Sequence, residues 1–169
     1  MNNFLKKAEI DKLVISEPIK IEKEWIDYNG HLNAAYYNIL FDRAGDKAFE
    51  ILGLGEKYAK QTNFTIYTGE IHLCYLREIH LKHKMKATAQ IIDYDKKRIH
   101  VFQHLCHEKE GWIAATNESI ALHVDMTGPK VAEFPQHILN NIEKMAQEQK
   151  NAETPKNVGS KIGIRHKTK

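Results

Sequence analysis

The chain has 169 residues, of which 42% are hydrophobic and 28% charged, a composition typical of a soluble globular protein. This length allows one domain with a sizeable core and excludes two full domains. No apolar run reaches the roughly 20 residues of a membrane-spanning helix, and residues 1–10 lack the apolar core of a secretory signal. We therefore expect a cytoplasmic protein without a membrane partner.

The formal charge of +3 is unevenly distributed along the chain. Residues 150–169 carry six basic side chains and one acidic one, a net charge of +5, which leaves −2 for residues 1–149. A mildly acidic body argues against nucleic-acid binding, because such domains carry a clustered basic face. We predict one domain over residues 1–149 and a basic, disordered tail over residues 150–169.

The first half of the body predicts a strand, a loop and a long helix. Residues 18–25 alternate apolar and charged side chains, which indicates a half-buried strand. Asn29-Gly30 then predicts a turn, and Asn33 is a good N-cap for a helix that begins at Ala34. Apolar residues continue at helical spacing until Gly53, and we expect Gly45 within this stripe to let another backbone approach closely.

The second half predicts four long strands, at about 63–78, 82–94, 97–108 and 112–124, joined by short turns after a polar linker. A short amphipathic helix follows at about 136–148. One long helix followed by antiparallel strands is an α+β arrangement in which a curved sheet wraps around the helix. Because the chain has little left to cover the other face of the sheet, we expect at least a dimer.

Asp27 is the candidate catalytic residue. It lies between the predicted strand and the predicted helix, three residues before Gly30. Helix N-terminal amides can polarise a thioester carbonyl, and a nearby carboxylate can activate water or attack the carbonyl directly. Asx residues before a helix are also common turn formers and caps, so the pattern alone leaves both interpretations open.

The segment from Asp27 through Gly30, His31 and Asn33 into a long helix resembles the active-site segment of the 4-hydroxybenzoyl-CoA thioesterase-like hotdog family. The resemblance covers most of the body and implies a hotdog fold and a homodimer or homotetramer with sites between subunits. It also implies that Asp27 is the catalytic carboxylate, with Gly30 and His31 in the loop whose amides face the thioester carbonyl and Asn33 as a further member of the catalytic group. The implied substrate is a small acyl-CoA, with coenzyme A as part of the substrate and no separate cofactor.

Residues 67–76, 95–100 and 121–126 extend this likeness to the thioesterases associated with carnitine breakdown, a subgroup thought to cleave betainyl-CoA. Such a substrate implies a pocket for a trimethylammonium group, which aromatic faces and a carboxylate would bind. The candidates for this pocket are Trp25, Tyr36, Tyr67 and Tyr75, with Glu70 as the charge partner.

The coenzyme A phosphates need cationic partners, and five basic residues lie at predicted strand ends and turns. They are Lys82, Lys84, Lys96, Lys97 and Arg98, of which we favour the last three. Several histidines lie in the predicted strands, but without cysteine ligands or an HExxH helix we predict no metal site. Glycine-rich nucleotide-binding motifs are absent from the sequence.

Two other functions fit the same fold. One is a non-catalytic module that binds an acyl-CoA without cleaving it, and the other is a dehydratase that would pair a carboxylate with a histidine such as His31. Replacement of Asp27 separates the first from a hydrolase, and product analysis separates the second.

Overall fold

The computed structural model describes residues 12–164. Within this range seven strands form one antiparallel sheet: β1 (Val14–Ile15), β2 (Ile19–Lys20), β3 (Phe64–Tyr75), β4 (Lys84–Tyr94), β5 (Arg98–His107), β6 (Ile113–Asp125) and β7 (Lys130–Val131). The helices in the same range are α1 (Ala34–Leu52), α2 (Glu56–Thr62), α3 (Gln136–Gln149) and a short 3₁₀ helix (Lys23–Trp25).

The four long strands have the order β4-β5-β6-β3, and β7 pairs with the end of β6. The short strands β1 and β2 both pair with the outer edge of β4, whereas β3, within residues 12–164, pairs only with β6. The sheet is therefore open and not a closed barrel. The predicted α+β arrangement of a central helix packed against an antiparallel sheet is confirmed.

Helix α1 begins and ends as its sequence predicts. The Asn33 side chain accepts a hydrogen bond from the Ala35 amide at 3.0 Å, and Gly53 ends the helix with a left-handed φ of 84°. The buried face consists of Tyr37, Leu40, Phe41, Ala44, Ala48 and Leu52. Residues at this spacing form one stripe, so the sheet can cover the helix along its whole length.

Two of the predicted elements are wrong. The strand predicted over residues 18–25 pairs with β4 only at Ile19 and Lys20, after which the chain leaves the sheet and a 3₁₀ turn carries Trp25 into the core. The predicted polar linker contains the helix α2. The sequence does not predict this helix, because Tyr58 is its one buried residue. The four long strands and the last helix lie within three residues of their predicted bounds.

The interior contains two hydrophobic clusters, one at each end of α1. The first includes Leu40 and Leu105, and the second includes Leu52 and Ile99. Between them on β5 lies Gln103, a buried polar residue. The middle of the interior is therefore polar, although both ends are apolar.

The predicted boundary of the body lies at the end of α3, at Gln149. Residues 150–164 contain no helix or strand, and the Gly159 amide donates to both carboxylate oxygens of Glu118 at 2.9 and 3.0 Å. The tail therefore contacts the sheet at Gly159, and the last five residues of the predicted tail fall outside the described residues. Within residues 12–164, no helix is long and apolar enough to cross a membrane.

Candidate active site

Asp27 lies in a tight loop whose two ends are bonded together. Its amide donates to the His31 carbonyl at 2.9 Å, and its carbonyl accepts from the Gly30 amide at 3.0 Å. The carboxylate accepts a hydrogen bond from the Asn29 amide at 2.8 Å, an Asx turn that fixes its direction. Asp27 is half-buried. The residue is thus a turn former, and its carboxylate also stays within reach of solvent and substrate.

Gly30 and His31 shape the tip of this loop. Gly30 has a φ of 78°, which favours glycine, and a side chain at this position would meet no atom within 4 Å. Its carbonyl lies 3.1 Å from Nδ1 of His80, and the His80 ring meets the His31 ring edge-on with centroids 5.0 Å apart. A second loop therefore supports the tip next to Asp27.

Asn33 was predicted to belong to the catalytic group, and its observed contacts are those of a cap. Its side chain bonds the Ala35 amide and its carbonyl bonds the Tyr36 amide, both at 3.0 Å. Two of the first three helical amides are therefore already bonded to Asn33. Of these three amides, Ala34 remains the candidate for polarising a carbonyl, together with the positive end of the helix dipole.

Two aromatic candidates for the cation pocket pack on each other at the start of α1. Trp25 is buried and stacks on Tyr36 with centroids 5.5 Å apart, while the Arg43 guanidinium lies 4.9 Å from the Trp25 ring centre. Tyr75 is nearby, because its hydroxyl donates to the Ala34 carbonyl at 3.3 Å. The Trp25 ring already has a cationic neighbour from the protein itself.

Tyr67 and Glu70 lie elsewhere. Tyr67 is eight residues before Tyr75 on β3, about 26 Å away in an extended strand. Its hydroxyl contacts Sδ of Met126 at 2.9 Å, and Glu70 is exposed beyond the bulge at Gly69. Within residues 12–164 the chain therefore does not bring the predicted aromatic set together.

The predicted phosphate ligands separate into two groups at opposite ends of β4. Lys84 starts this strand near the Asp27 loop, since Leu32 of that loop bonds the Ile79 carbonyl at 2.7 Å. Lys96, Lys97 and Arg98 follow its far end, about 33 Å away. Arg98 forms an exposed ion pair with Asp95 at 2.6 Å, which lowers the pKa of that carboxyl.

The strand histidines that suggest metal ligands have protein partners. His100 contacts the Glu118 carboxylate at 2.8 Å, and His123 lies between the Tyr58 hydroxyl at 2.9 Å and the Ala132 carbonyl at 3.1 Å. Within residues 12–164, one different group has its donor atoms within 4.8 Å of one another, namely His31, Glu78 and His80. The expectation that the protein holds no metal stays a prediction.

A cavity of about 130 Å³, which was not predicted from the sequence, lies between α1 and the sheet. Gly45 on the helix and Ala89 and Ala121 on the strands leave this space, because each has a small side chain or none. The atom nearest to Gly45 is Nε2 of Gln103, 3.7 Å from where a side chain would begin. The expected close approach of a second backbone at Gly45 is wrong, since a side-chain amide lies there.

Gln103 and Asn117 face each other on β5 and β6 and line this cavity. The Gln103 amide donates to the Phe41 carbonyl at 3.1 Å, and the Asn117 amide donates to Oε1 of Gln103 at 2.8 Å. Oδ1 of Asn117 is buried without a hydrogen-bond partner. The signal in the sequence that could have indicated this cavity is the pair of polar residues at inward positions of apolar strands. It becomes informative only once the strand register is known.

Comparisons with known proteins agree with this architecture. The model of the thioesterase-like superfamily matches residues 21–142. A betainyl-CoA thioesterase of Pseudomonas aeruginosa is 32% identical over 141 residues, covering 83% of this chain and 89% of that protein. An L-carnitine dehydrogenase/betainyl-CoA thioesterase of Rhizobium meliloti is 29% identical over 85% of this chain and only 29% of its own length.

Among solved structures, the Staphylococcus aureus protein SAV2348, determined in complex with CoA, has a TM-score of 0.83 and 31% identity. The match covers 90% of this chain and 96% of that one. A DHNA-CoA thioesterase from the same organism, at 15% identity, has a TM-score of 0.75 over 85% of this chain and 97% of its own, and it shares the fold. These likenesses confirm the predicted hotdog architecture.

Proposed function

The chain belongs to the thioesterase-like superfamily and is an acyl-CoA thioesterase, and we propose that it cleaves betainyl-CoA to glycine betaine and free coenzyme A. The Asp27 carboxylate, held by the Asn29 amide beside the start of α1, is the observation that carries this proposal. The substrate comes from the Pseudomonas aeruginosa relative, which aligns over most of both chains.

In the proposed reaction, Asp27 takes a proton from a water molecule as the water oxygen attacks the thioester carbon. The alternative is direct attack by the carboxylate, which forms an anhydride that water then hydrolyses. In both cases the carbon–sulfur bond breaks, and the thiolate leaves and takes up a proton. The Ala34 amide and the positive end of the α1 dipole stabilise the oxyanion, and the reaction needs no cofactor.

We propose that the active form is a homodimer in which the outer edges of two β3 strands pair. The five residues Tyr67–Ile71 in the middle of β3 are all exposed, and both Tyr67 and Ile71 are apolar. An open strand edge of this kind has unpaired backbone N–H and C=O groups that can pair with a second chain. The other edge of the sheet, at β4, is already occupied by β1 and β2.

Antiparallel pairing of two β3 strands also explains the separated site residues. Arg98, Leu122 and Tyr67 lie in one row across the sheet, at the end opposite to Tyr75. In a two-fold dimer the start of one β3 lies beside the end of the other. Tyr67, Glu70 and the basic turn Lys96–Arg98 of one protomer then approach the Asp27 loop of its partner, which supports a shared site for acyl group and phosphates.

The test is free-thiol release from a panel of betainyl-, acetyl-, short-chain and 4-hydroxybenzoyl-CoA. We expect betainyl-CoA to give the highest kcat/KM, and Asp27→Asn to lower kcat by about 10²–10⁴ for every member. Preference for another acyl group would overturn the substrate, whereas full activity of Asp27→Asn would overturn the role of the carboxylate.

Sedimentation of the same preparation tests the dimer. We expect a mass of about 39 kDa, twice the 19.6 kDa of one chain. Activity per protomer should fall on dilution at the concentrations where the mass falls. An active monomer would contradict the shared site.

A further inference from the structure

We infer that the cavity between α1 and the sheet binds the acyl end of the substrate and selects a short acyl group that ends in a quaternary ammonium. This inference rests on the proposed function and adds the residues that would recognise the acyl group. They are Asn117 and Asp42, with Phe41 and Phe49 as the aromatic part of the lining. The predicted aromatic set around Trp25 does not include any of them.

The first support is the unpaired oxygen of Asn117. Only 5% of this residue is exposed, and Oδ1 has no partner although the side-chain amide bonds Gln103. Because Gln103 in turn donates to the Phe41 carbonyl, the two amides run in one direction, and the unpaired oxygen belongs to a residue that lines the cavity. A buried acceptor without a partner costs about 1–3 kcal/mol, so a ligand that presents positive charge to it is favoured.

The second support is the charge of the lining. Among the described residues that line the cavity, Asp42 is ionisable and none is Lys, Arg or His. Two further acids, Asp46 and Glu50, follow on the same helix. Burial, together with the negative charges of Asp42 and Glu50, raises the pKa of Asp46. An acidic helix face next to a cavity without cations selects against acyl groups that end in a carboxylate.

The third support is the apolar remainder of the lining. Phe41 and Phe49 offer ring faces or edges, and the other walls are mostly aliphatic. A trimethylammonium group combines apolar methyl groups with a delocalised positive charge, which suits aromatic and aliphatic walls. A cavity of about 150 Å³ holds a benzene molecule, so the present volume of about 130 Å³ suits a group of this size.

The position of the cavity agrees with that of the reacting carbonyl. Asn38, which lines the cavity, lies five residues beyond the cap Asn33, or about 7.5 Å along the helix axis. Thr68 and Ile71 of the exposed stretch of β3 line it as well. The cavity therefore opens where the proposed dimer places the shared site.

The test compares betainyl-CoA with 3,3-dimethylbutanoyl-CoA, in which a carbon atom replaces the charged nitrogen at nearly the same shape. We expect the wild type to prefer betainyl-CoA at least tenfold in kcat/KM. Asn117→Leu should reduce this preference to about threefold or less, mainly through KM for betainyl-CoA. Asp42→Asn, at an exposed helix position with little risk to folding, should reduce it in the same direction, whereas Glu143→Gln, at an exposed position of α3 outside the lining, should leave it unchanged.

An unchanged preference in both Asn117→Leu and Asp42→Asn, in proteins that unfold at the wild-type temperature, would overturn the inference while the proposed function stands. If the wild type releases no thiol from betainyl-CoA, the proposed substrate fails first. In that case the affinity for glycine betaine, measured by fluorescence or calorimetry with the wild type and Asn117→Leu, tests whether the cavity binds a quaternary ammonium group. Equal or absent binding in the two proteins would overturn the inference.

Discussion

The Asp27 loop and the cavity differ in how the chain builds them. The hydrogen bonds that form the turn at Asp27 join residues within a few positions, such as Asp27 to Asn29 and Asp27 to His31, and a longer-range contact of His80 with the Gly30 carbonyl supports the tip. The cavity depends on contacts between distant segments, such as Gln103 with Phe41, which are 62 residues apart. The proposed reaction chemistry thus depends mainly on local structure, and the proposed acyl selection depends on long-range packing.

This difference separates two kinds of variation. Substitutions in the loop change the reacting groups and should affect every substrate alike. Substitutions in the cavity change the size and charge of the space that would hold the acyl group, at a distance from the reacting carbonyl. They should affect some acyl groups more than others. The following predictions test that separation.

The largest expected effect is at Asp27. Asp27→Asn keeps the Asx turn, because an amide oxygen can accept the same bond, but it removes the base or nucleophile. We expect kcat to fall by about 10²–10⁴ for all acyl-CoAs, measured by thiol release.

Asp125→Asn is the matched control, since Asp125 makes the same kind of turn with the Thr127 amide at 2.9 Å. It should leave turnover unchanged. Equal losses in both variants would mean that a general effect of replacing Asp by Asn on the protein, and not the loss of the Asp27 carboxylate, accounts for the result.

The second prediction concerns Gly30. Gly30→Ala places a side chain in open space but forces a left-handed φ on alanine, at a cost of about 1–2 kcal/mol. We expect the melting temperature to fall by roughly 2–8 °C, with a uniform loss of kcat across the substrate panel.

The matched control is Gly128→Ala, because Gly128 also lies in open space and its φ is not positive. It should change neither quantity by more than the error of measurement. A substrate-dependent loss in Gly30→Ala would contradict the assignment of the loop to the reaction alone.

The loop around Asp27 is predicted well from the sequence, because most of its contacts join residues that are close in the chain. Asn29-Gly30 and the Asn33 cap form as expected, because turn and cap preferences depend on neighbouring residues. The long strands and α1 follow from their own periodicity in the same way. Helix α2 is missed, because a single buried Tyr58 produces no apolar stripe.

The cavity could not be predicted, because it requires the strand register. Gln103 and Asn117 are 14 residues apart in the chain, and only the pairing of β5 with β6 sets them opposite each other. For the same reason the aromatic set predicted from the sequence does not come together within the described part of one chain, since Tyr67 and Tyr75 share a strand but lie at different ends of it. Separated residues of this kind become a site only through tertiary and quaternary contacts.

A third prediction tests long-range packing through pH. Burial lowers the pKa of His123, so the unfolded chain binds its proton more readily than the folded one. Stability is therefore fully present above the unfolded pKa of about 6.5 and is lost as the pH falls toward the folded pKa. We expect the free energy of unfolding in urea to decrease by at most about 1.4 kcal/mol per pH unit in this range from this one group.

His123→Gln should reduce that slope, although it also weakens the contact with Tyr58. Substitution of the exposed His137 in α3 by Gln is the matched control and should leave the slope as it is. An identical slope in wild type and His123→Gln would show that other groups carry the dependence.

The smallest expected effect on stability, and the sharpest separation of the two regions, is at Gly45. Gly45→Ala places a methyl group 3.7 Å from Nε2 of Gln103, an ordinary contact, and replaces a residue that is unfavourable in a helix. We expect the free energy of unfolding to rise by about 0.5–1 kcal/mol. The same methyl group narrows the cavity, so kcat/KM for betainyl-CoA should fall about tenfold while that for the smaller acetyl-CoA stays close to wild type. A stabilised protein that cleaves both substrates as the wild type does would show that the acyl group does not enter this cavity.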